Sequence, residues 1–219
     1  MIDFIQSEIQ FFIFCLTTLF TLINPIGIAP LLLVMTERFS KQERINIAWK
    51  GSFTAFFTLI LFSILGSVIF NVFGITIEAF QIMGGILFFR NGLRMLEVKM
   101  GRSRTTPAEQ EESQESDDIA ISPIGIPLIA GPGAITAAML LSSQTQQFYS
   151  YVTLGLSIFL VLSLVYLILR NGDVLMNVLG TTGMRIIQRL MGLILLVIAV
   201  QFVINGAVSV ITPLISPSF

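Results

Sequence analysis

The chain of 219 residues is 54% hydrophobic and only 11% charged, with a net charge of −1. A soluble domain typically carries about 25% charged residues, so there is too little charge here to cover a water-facing surface, and such hydrophobicity also excludes disorder. The near-neutral balance points to no nucleic acid, and the absence of histidine removes the commonest general base and metal ligand.

In chain order, the first residues include Asp3 and Glu8 but no basic region and no small-residue cleavage site. The first apolar run is therefore expected to remain as a span instead of being removed as a signal peptide. A bilayer is crossed by about 20 apolar residues in helical form. Runs of that kind extend over 11–35, 51–73, 75–96, 119–141, 149–169 and 190–215. The third is the weakest, with Glu78 near its start and Arg90 ending its charge-free stretch. The lone Cys15 lies inside the first run and excludes an intrachain disulfide.

All 12 Lys and Arg residues fall in three places. Arg38, Lys41, Arg44 and Lys50 follow the first run; Arg90, Arg94, Lys99, Arg102 and Arg104 end and follow the third; Arg170, Arg185 and Arg189 precede the sixth. With six crossings these clusters share one side, which the positive-inside rule makes cytoplasmic, and both termini are expected outside. Trp49, Tyr149, Tyr151 and Tyr166 fall near run ends, where amphipathic rings prefer the headgroup level. The longest polar stretch, 98–118, holds Glu109, Glu111, Glu112, Glu115, Asp117 and Asp118 and reads as an acidic cytoplasmic linker.

The chain repeats itself. Asn24-Pro25-Ile26-Gly27-Ile28 returns as Ser122-Pro123-Ile124-Gly125-Ile126, and Met83-Gly84 returns as Met191-Gly192, in the same order and at similar offsets. Three spans per copy is an odd number, so consecutive copies lie upside down to each other. The expected fold is an all-α membrane protein of six transmembrane helices in two inverted three-helix repeats. Its units are 1–97 and 119–219, joined by the linker 98–118. Architectures of this kind in secondary transporters hold their substrate near the midplane, at the repeat interface.

Both copies of the first motif are rich in helix breakers. Proline removes a backbone N–H and clashes one turn back, and the carbonyls it frees must be satisfied within the bilayer. The first run holds Pro25, Gly27 and Pro30; the fourth holds Pro123, Gly125, Pro127 and then Gly131-Pro132-Gly133. The first and fourth helices are thus expected to be broken, the fourth into 119–129 and 134–141. A half-helix start offers N–H groups to a carboxylate, and the opposing end offers carbonyls to an ammonium group or Na⁺. The candidate substrate site is therefore Asn24, Pro25, Gly27, Ser122, Pro123, Gly125, Gly131, Pro132, Gly133 and Thr136. Kinking for packing alone is the plainer reading of the same prolines. Arg90 is expected to snorkel to the surface beside Arg94, Gln81, Asn91, Gln201 and Asn205 to line a polar path or bridge helices, and Gly84, Gly85, Gly92 and Gly192 to allow close helix approach.

Asn24-Pro25-Ile26-Gly27, Gly131-Pro132-Gly133-Ala134-Ile135-Thr136, the Met83-Gly84 pair and Arg189-Leu190-Met191-Gly192-Leu193 together resemble the MarC (UPF0056-type) family, also described as six-helix neutral amino acid transporters. The resemblance spans the chain from Phe11 to Gly206. It implies a bacterial inner-membrane protein and transport of small neutral amino acids such as glycine or alanine, coupled to a Na⁺ or H⁺ gradient. No catalytic residue, metal or cofactor is expected, and no nucleic-acid partner; the bilayer and a small solute are. An intramembrane hydrolase would need a Ser/His, paired-Asp or metal arrangement that the chain lacks. A non-transporting scaffold acting through the acidic linker is the alternative from another class.

Overall fold

The computed structural model describes residues 2–97, 120–145 and 147–215. The acidic linker read at 98–118 lies outside the described residues. Every element is helical: α1 (Ile2–Ile23), α2 (Pro25–Met35), α3 (Lys41–Phe73), α4 (Ile77–Leu96), α5 (Ala120–Ile129), α6 (Pro132–Ser143), α7 (Phe148–Arg170) and α8 (Gly172–Ile215). No strand occurs among the described residues.

Among the described residues, four stretches are long and apolar enough to cross a membrane: Gln6–Met35, Lys41–Gly66, Phe148–Arg170 and Thr182–Thr212. The third and fourth of the six expected spans do not reach that standard as single helices. α4 carries Glu78, Arg90 and Arg94, and α6 is a short apolar helix of 12 residues. The outer surface is apolar: Phe53, Phe57, Val72, Phe148, Val178 and Val197 are each more than half exposed. A contiguous apolar surface on this scale is unstable in water and suited to lipid.

α3 begins ten residues before the expected start, and local chemistry explains it. Ser40 accepts from the Glu43 amide while the Glu43 carboxylate accepts from the Ser40 amide, at 3.4 and 2.8 Å, closing a capping box. α8 likewise begins early, at Gly172, and is interrupted at Gly180, where φ is +58° and ψ −179°, a conformation open to glycine alone. The lead-in Gly172–Leu179 is anchored to other elements. Arg44 of α3 pairs with Asp173 at 3.4 Å, and Gly172 lies against Leu33 of α2.

The most extensive helix pairing is α4 along α8. It is antiparallel and built on small residues. A Cβ added to Gly85 would lie 2.7 Å from the Ala199 carbonyl oxygen, one on Gly92 would lie 3.0 Å from that of Gly192, and one on Gly206 would lie 2.8 Å from that of Glu78. Each pair is seven residues from the next, two helical turns, so the seam is continuous. Lipid supplies no hydrophobic drive between helices, and close backbone approach supplies dispersion contacts instead. At its inner edge Phe88 meets Phe202 edge-on with ring centroids 5.5 Å apart. Around this pair, α3 packs on α5 and α6, and α7 packs on α1 and α2. The buried core between them includes Cys15, Leu19, Ile28, Leu32, Ile124, Ala134, Leu140, Ile158 and Val165.

Candidate functional site

α1 stops at Ile23 because Asn24 turns left-handed, with φ +51° and ψ +60°. Asparagine tolerates this region better than other side-chain-bearing residues. Its amide still donates to the Phe20 carbonyl at 2.9 Å, finishing α1, while its own carbonyl accepts from Gly27 and Ile28 and starts α2. The side-chain oxygen accepts a further bond from the Gly27 amide at 3.2 Å. Asn24 therefore closes one helix and opens the next. Pro25 occupies the first position of α2, where no N–H is missed. A Cβ at Gly27 would collide with the Asn24 carboxamide, so any larger residue there displaces the side chain that caps α2.

The second break is longer. Ser122 (φ −134°, ψ 124°) and Ile126 (φ −132°, ψ 122°) are extended within α5. Each directly precedes a proline, whose ring excludes the helical region from the residue before it. Gly131, before Pro132, is extended for the same reason and forms the N-cap of α6 without a side-chain hydrogen bond. Pro132 has no N–H, so the unsatisfied amides at this helix start are those of Gly133 and Ala134.

These two helix starts are brought towards one another and towards the α4–α8 pair. A Cβ on Gly133 would sit 3.4 Å from Leu22, in the last turn of α1, and 3.1 Å from Asn91 Nδ2 of α4. A Cβ on Gly27 would sit 3.1 Å from Gln188 Nε2 of α8. Each broken helix thus presents a glycine in its first turn to a carboxamide carried by the opposite pair. Gln188 is only 7% exposed. Such an arrangement places backbone N–H donors beside neutral carboxamides at both breaks.

The structure divides the residues expected at the site. Asn24, Pro25, Gly27, Gly131, Pro132 and Gly133 form the two breaks described above. Ser122, Pro123 and Gly125 belong to α5, which packs on α3; a Cβ on Gly125 would meet Thr54 at 3.0 Å, and Ser122 is exposed. Thr136 is buried with its methyl group towards Gly84 of α4, so it packs there. Gln201 donates to Asn205 at 2.7 Å on the exposed face of α8, away from the breaks. Gln188 was not among the expected residues, since it falls in the basic stretch before the sixth run. Its signal was its spacing: Gln188, Leu195 and Phe202 recur every seventh residue on the buried face. A separate polar cavity of about 360 Å³ lies at the other end of α4 and α6, lined by Thr76, Glu78, Ser142, Thr145 and Tyr151 among others.

The sequence matches the model of the MarC family of integral membrane proteins over residues 9–211. The chain belongs to the MarC family. A UPF0056 membrane protein of Methanocaldococcus jannaschii is 37% identical over 203 residues, covering 91% of this chain and 97% of the relative. The UPF0056 membrane protein YvbG of Bacillus subtilis is 36% identical, covering 90% and 94%. A UPF0056 membrane protein of Buchnera aphidicola is 33% identical, covering 98% of both. No solved structure matches the chain. MarC membership, the apolar outer surface and the four spans agree on an integral membrane protein.

Proposed function

We propose that this MarC protein is a secondary transporter of small neutral amino acids, or of a similarly small zwitterion, in the cytoplasmic membrane. It works by alternating access around the two broken helices. The observation that carries this reading is the pair of interior helix starts, each facing a carboxamide from the α4–α8 pair. A substrate carboxylate takes the free amides of Gly133 and Ala134 at the positive end of α6. Its ammonium group takes carbonyls at the ends of the facing half-helices and the oxygens of Asn91 and Gln188. The backbone groups and carboxamides at the two breaks are neutral, and a zwitterion suits them better than a solute with net charge. The glycines leave room for a small side chain only.

Six crossings in two inverted repeats belong to the same reading. The packing supports it: α3 meets the broken pair α5 and α6 just as α7 meets the broken pair α1 and α2. Exchange of partners in this way is what two like halves produce. A Na⁺ held by backbone carbonyls, or H⁺, supplies the coupling gradient. With three basic clusters on the cytoplasmic side, both termini face outward.

The test is flux of radiolabelled glycine and alanine into liposomes holding the purified protein, under Na⁺, K⁺ and proton gradients. Gradient-driven accumulation is expected. A hydrogen bond to a charged group is worth about 1.5–3 kcal/mol, so Asn91→Leu and Gln188→Leu should each lower flux roughly ten- to hundredfold. Absence of flux and of exchange for both amino acids in every gradient would sink the proposal.

A further inference from the structure

The polar cavity at the far end of α6 from Gly133 takes no part in transport around the breaks. It holds about 360 Å³ and lies where α3 ends, α4 begins and α6 ends. Asn71, Thr76, Glu78, Ser142, Ser143 and Thr145 supply its polar lining. What three of these can offer is set by bonds already made. Ser142 Oγ donates to the Ser63 carbonyl, Ser143 Oγ to that of Leu140 at 2.8 Å, and Thr145 Oγ1 to that of Ser142. Each hydroxyl has committed its one hydrogen, and what its oxygen keeps is acceptor capacity.

The charge at the cavity has the same sign. α3 ends here at Phe73 and α6 at Ser143, and the C-terminal end of a helix carries partial negative charge. α4 starts here with the opposite polarity, but its first turn is already answered by the Thr76 cap and by Glu78 itself. Glu78 is part-buried and makes no hydrogen bond or ion pair with another described residue. By contrast, Glu8 accepts from Ser150 and Thr153 in the first turns of α7, at 2.8 Å each. No Lys or Arg lines the cavity, and Arg90, the next basic residue along α4, is more than three turns away. A part-buried carboxylate without a partner is costly, and a cation brought in by a ligand removes that cost.

We propose that this cavity binds a primary ammonium group, with Glu78 as its counter-ion and the side-chain oxygens of Asn71 and Ser143 as further acceptors. Three N–H donors match acceptors spread around a cavity of this size. A divalent metal does not match it, since no group of three Asp, Glu, Cys or His occurs among the described residues. The ammonium belongs to a free amine or to the headgroup of an aminophospholipid, which share this chemistry. The site is separate from the helix breaks and stands whether or not the transport reading does.

Ethanolamine and choline carry the same charge and the same hydroxyl, but only ethanolamine has N–H donors. The thermal transition of the intact protein in detergent is followed as each is added, with ionic strength held constant by KCl. A saturable rise with ethanolamine and none with choline is expected, because binding to the folded state stabilises it by mass action. Glu78→Gln should weaken the half-saturation concentration roughly tenfold or more, since it removes the charge from the hydrogen bond. Asn71→Lys should abolish the response by placing a tethered ammonium in the cavity. Asn71 is exposed in the last turn of α3, where a cation suits the helix dipole, so this variant keeps its fold. Dihexanoyl phosphatidylethanolamine and phosphatidylcholine form the second pair. A rise with free ethanolamine assigns the site to a free amine, and a rise with the aminophospholipid alone assigns it to a headgroup. No rise with either primary ammonium, a matching rise with choline, or a wild-type response in Glu78→Gln would overturn the proposal.

Discussion

Gly133→Leu should abolish glycine flux in liposomes while leaving the protein folded and inserted. The expectation comes from what surrounds the residue. Gly133 is half-buried at the start of α6, and a Cβ there would approach only the ends of two side chains, Asn91 Nδ2 at 3.1 Å and Leu22 Cδ2 at 3.4 Å. Both can yield by a few tenths of an ångström, so the helices need not move. The added side chain would press between Asn91 and Leu22 at the start of α6, where the proposed substrate lies. Leucine also favours helix over glycine by about 0.8 kcal/mol, so the fold does not lose on propensity. Gly155→Leu is the matched control, because nothing lies within 4 Å of a Cβ at Gly155. Flux surviving in Gly133→Leu at the level of Gly155→Leu would place the substrate elsewhere.

Gly85→Leu should have the opposite signature, a loss of stability. Here the added Cβ would lie 2.6 Å from Val203 Cγ2 and 2.7 Å from the Ala199 carbonyl oxygen. A backbone oxygen cannot step aside without displacing α8. Overpacking of this kind costs about 1–3 kcal/mol for small insertions, and a leucine in a glycine seam lies at the upper end or beyond. In a chain of this size that corresponds to a fall of roughly 5–10 °C in the thermal transition in detergent. Gly92→Leu, facing the Gly192 carbonyl at 3.0 Å, should behave alike. A wild-type transition in both variants would show that α4 and α8 do not meet along this seam.

The sequence-level reading was most informative where local chemistry decides the backbone. Pro123, Pro127 and Pro132 each force the preceding residue to be extended, and Asn24 beside Pro25 sets the first break, so both broken helices could be read without tertiary information. Gly85, Gly92 and Gly192 of the seam were likewise legible as close-approach residues, whereas Gly206 was not and Gly84 turns to α6 instead. Helix starts were less so when hydropathy alone was followed: Ser40 and Glu43 formed a capping-box pattern in plain view, yet the apolar run begins only after it. Gly180 had no proline beside it to mark a break. The site itself was read in part. Asn24, Gly27 and Gly133 were singled out from their own motifs, whereas the meeting of Gly27 with Gln188 depends on how α8 packs, which no motif encodes. Thr136 was placed at the break by sequence proximity, but it lies one turn further along the same face of α6, against Gly84 of α4.

The Gly180 break has a mechanical consequence. The residues before it are moored to the first half of the chain, through Asp173 to Arg44 and through Gly172 to Leu33. The long helix beyond it lies along α4 at the glycine seam and meets Gly27 of α2 through Gln188. A swivel therefore separates the mooring from the helix. Any tilt of that helix together with α4 would be taken up at Gly180 before it reached the loop that follows α7, and Asn91 and Gln188, one on each member of the pair, would move together.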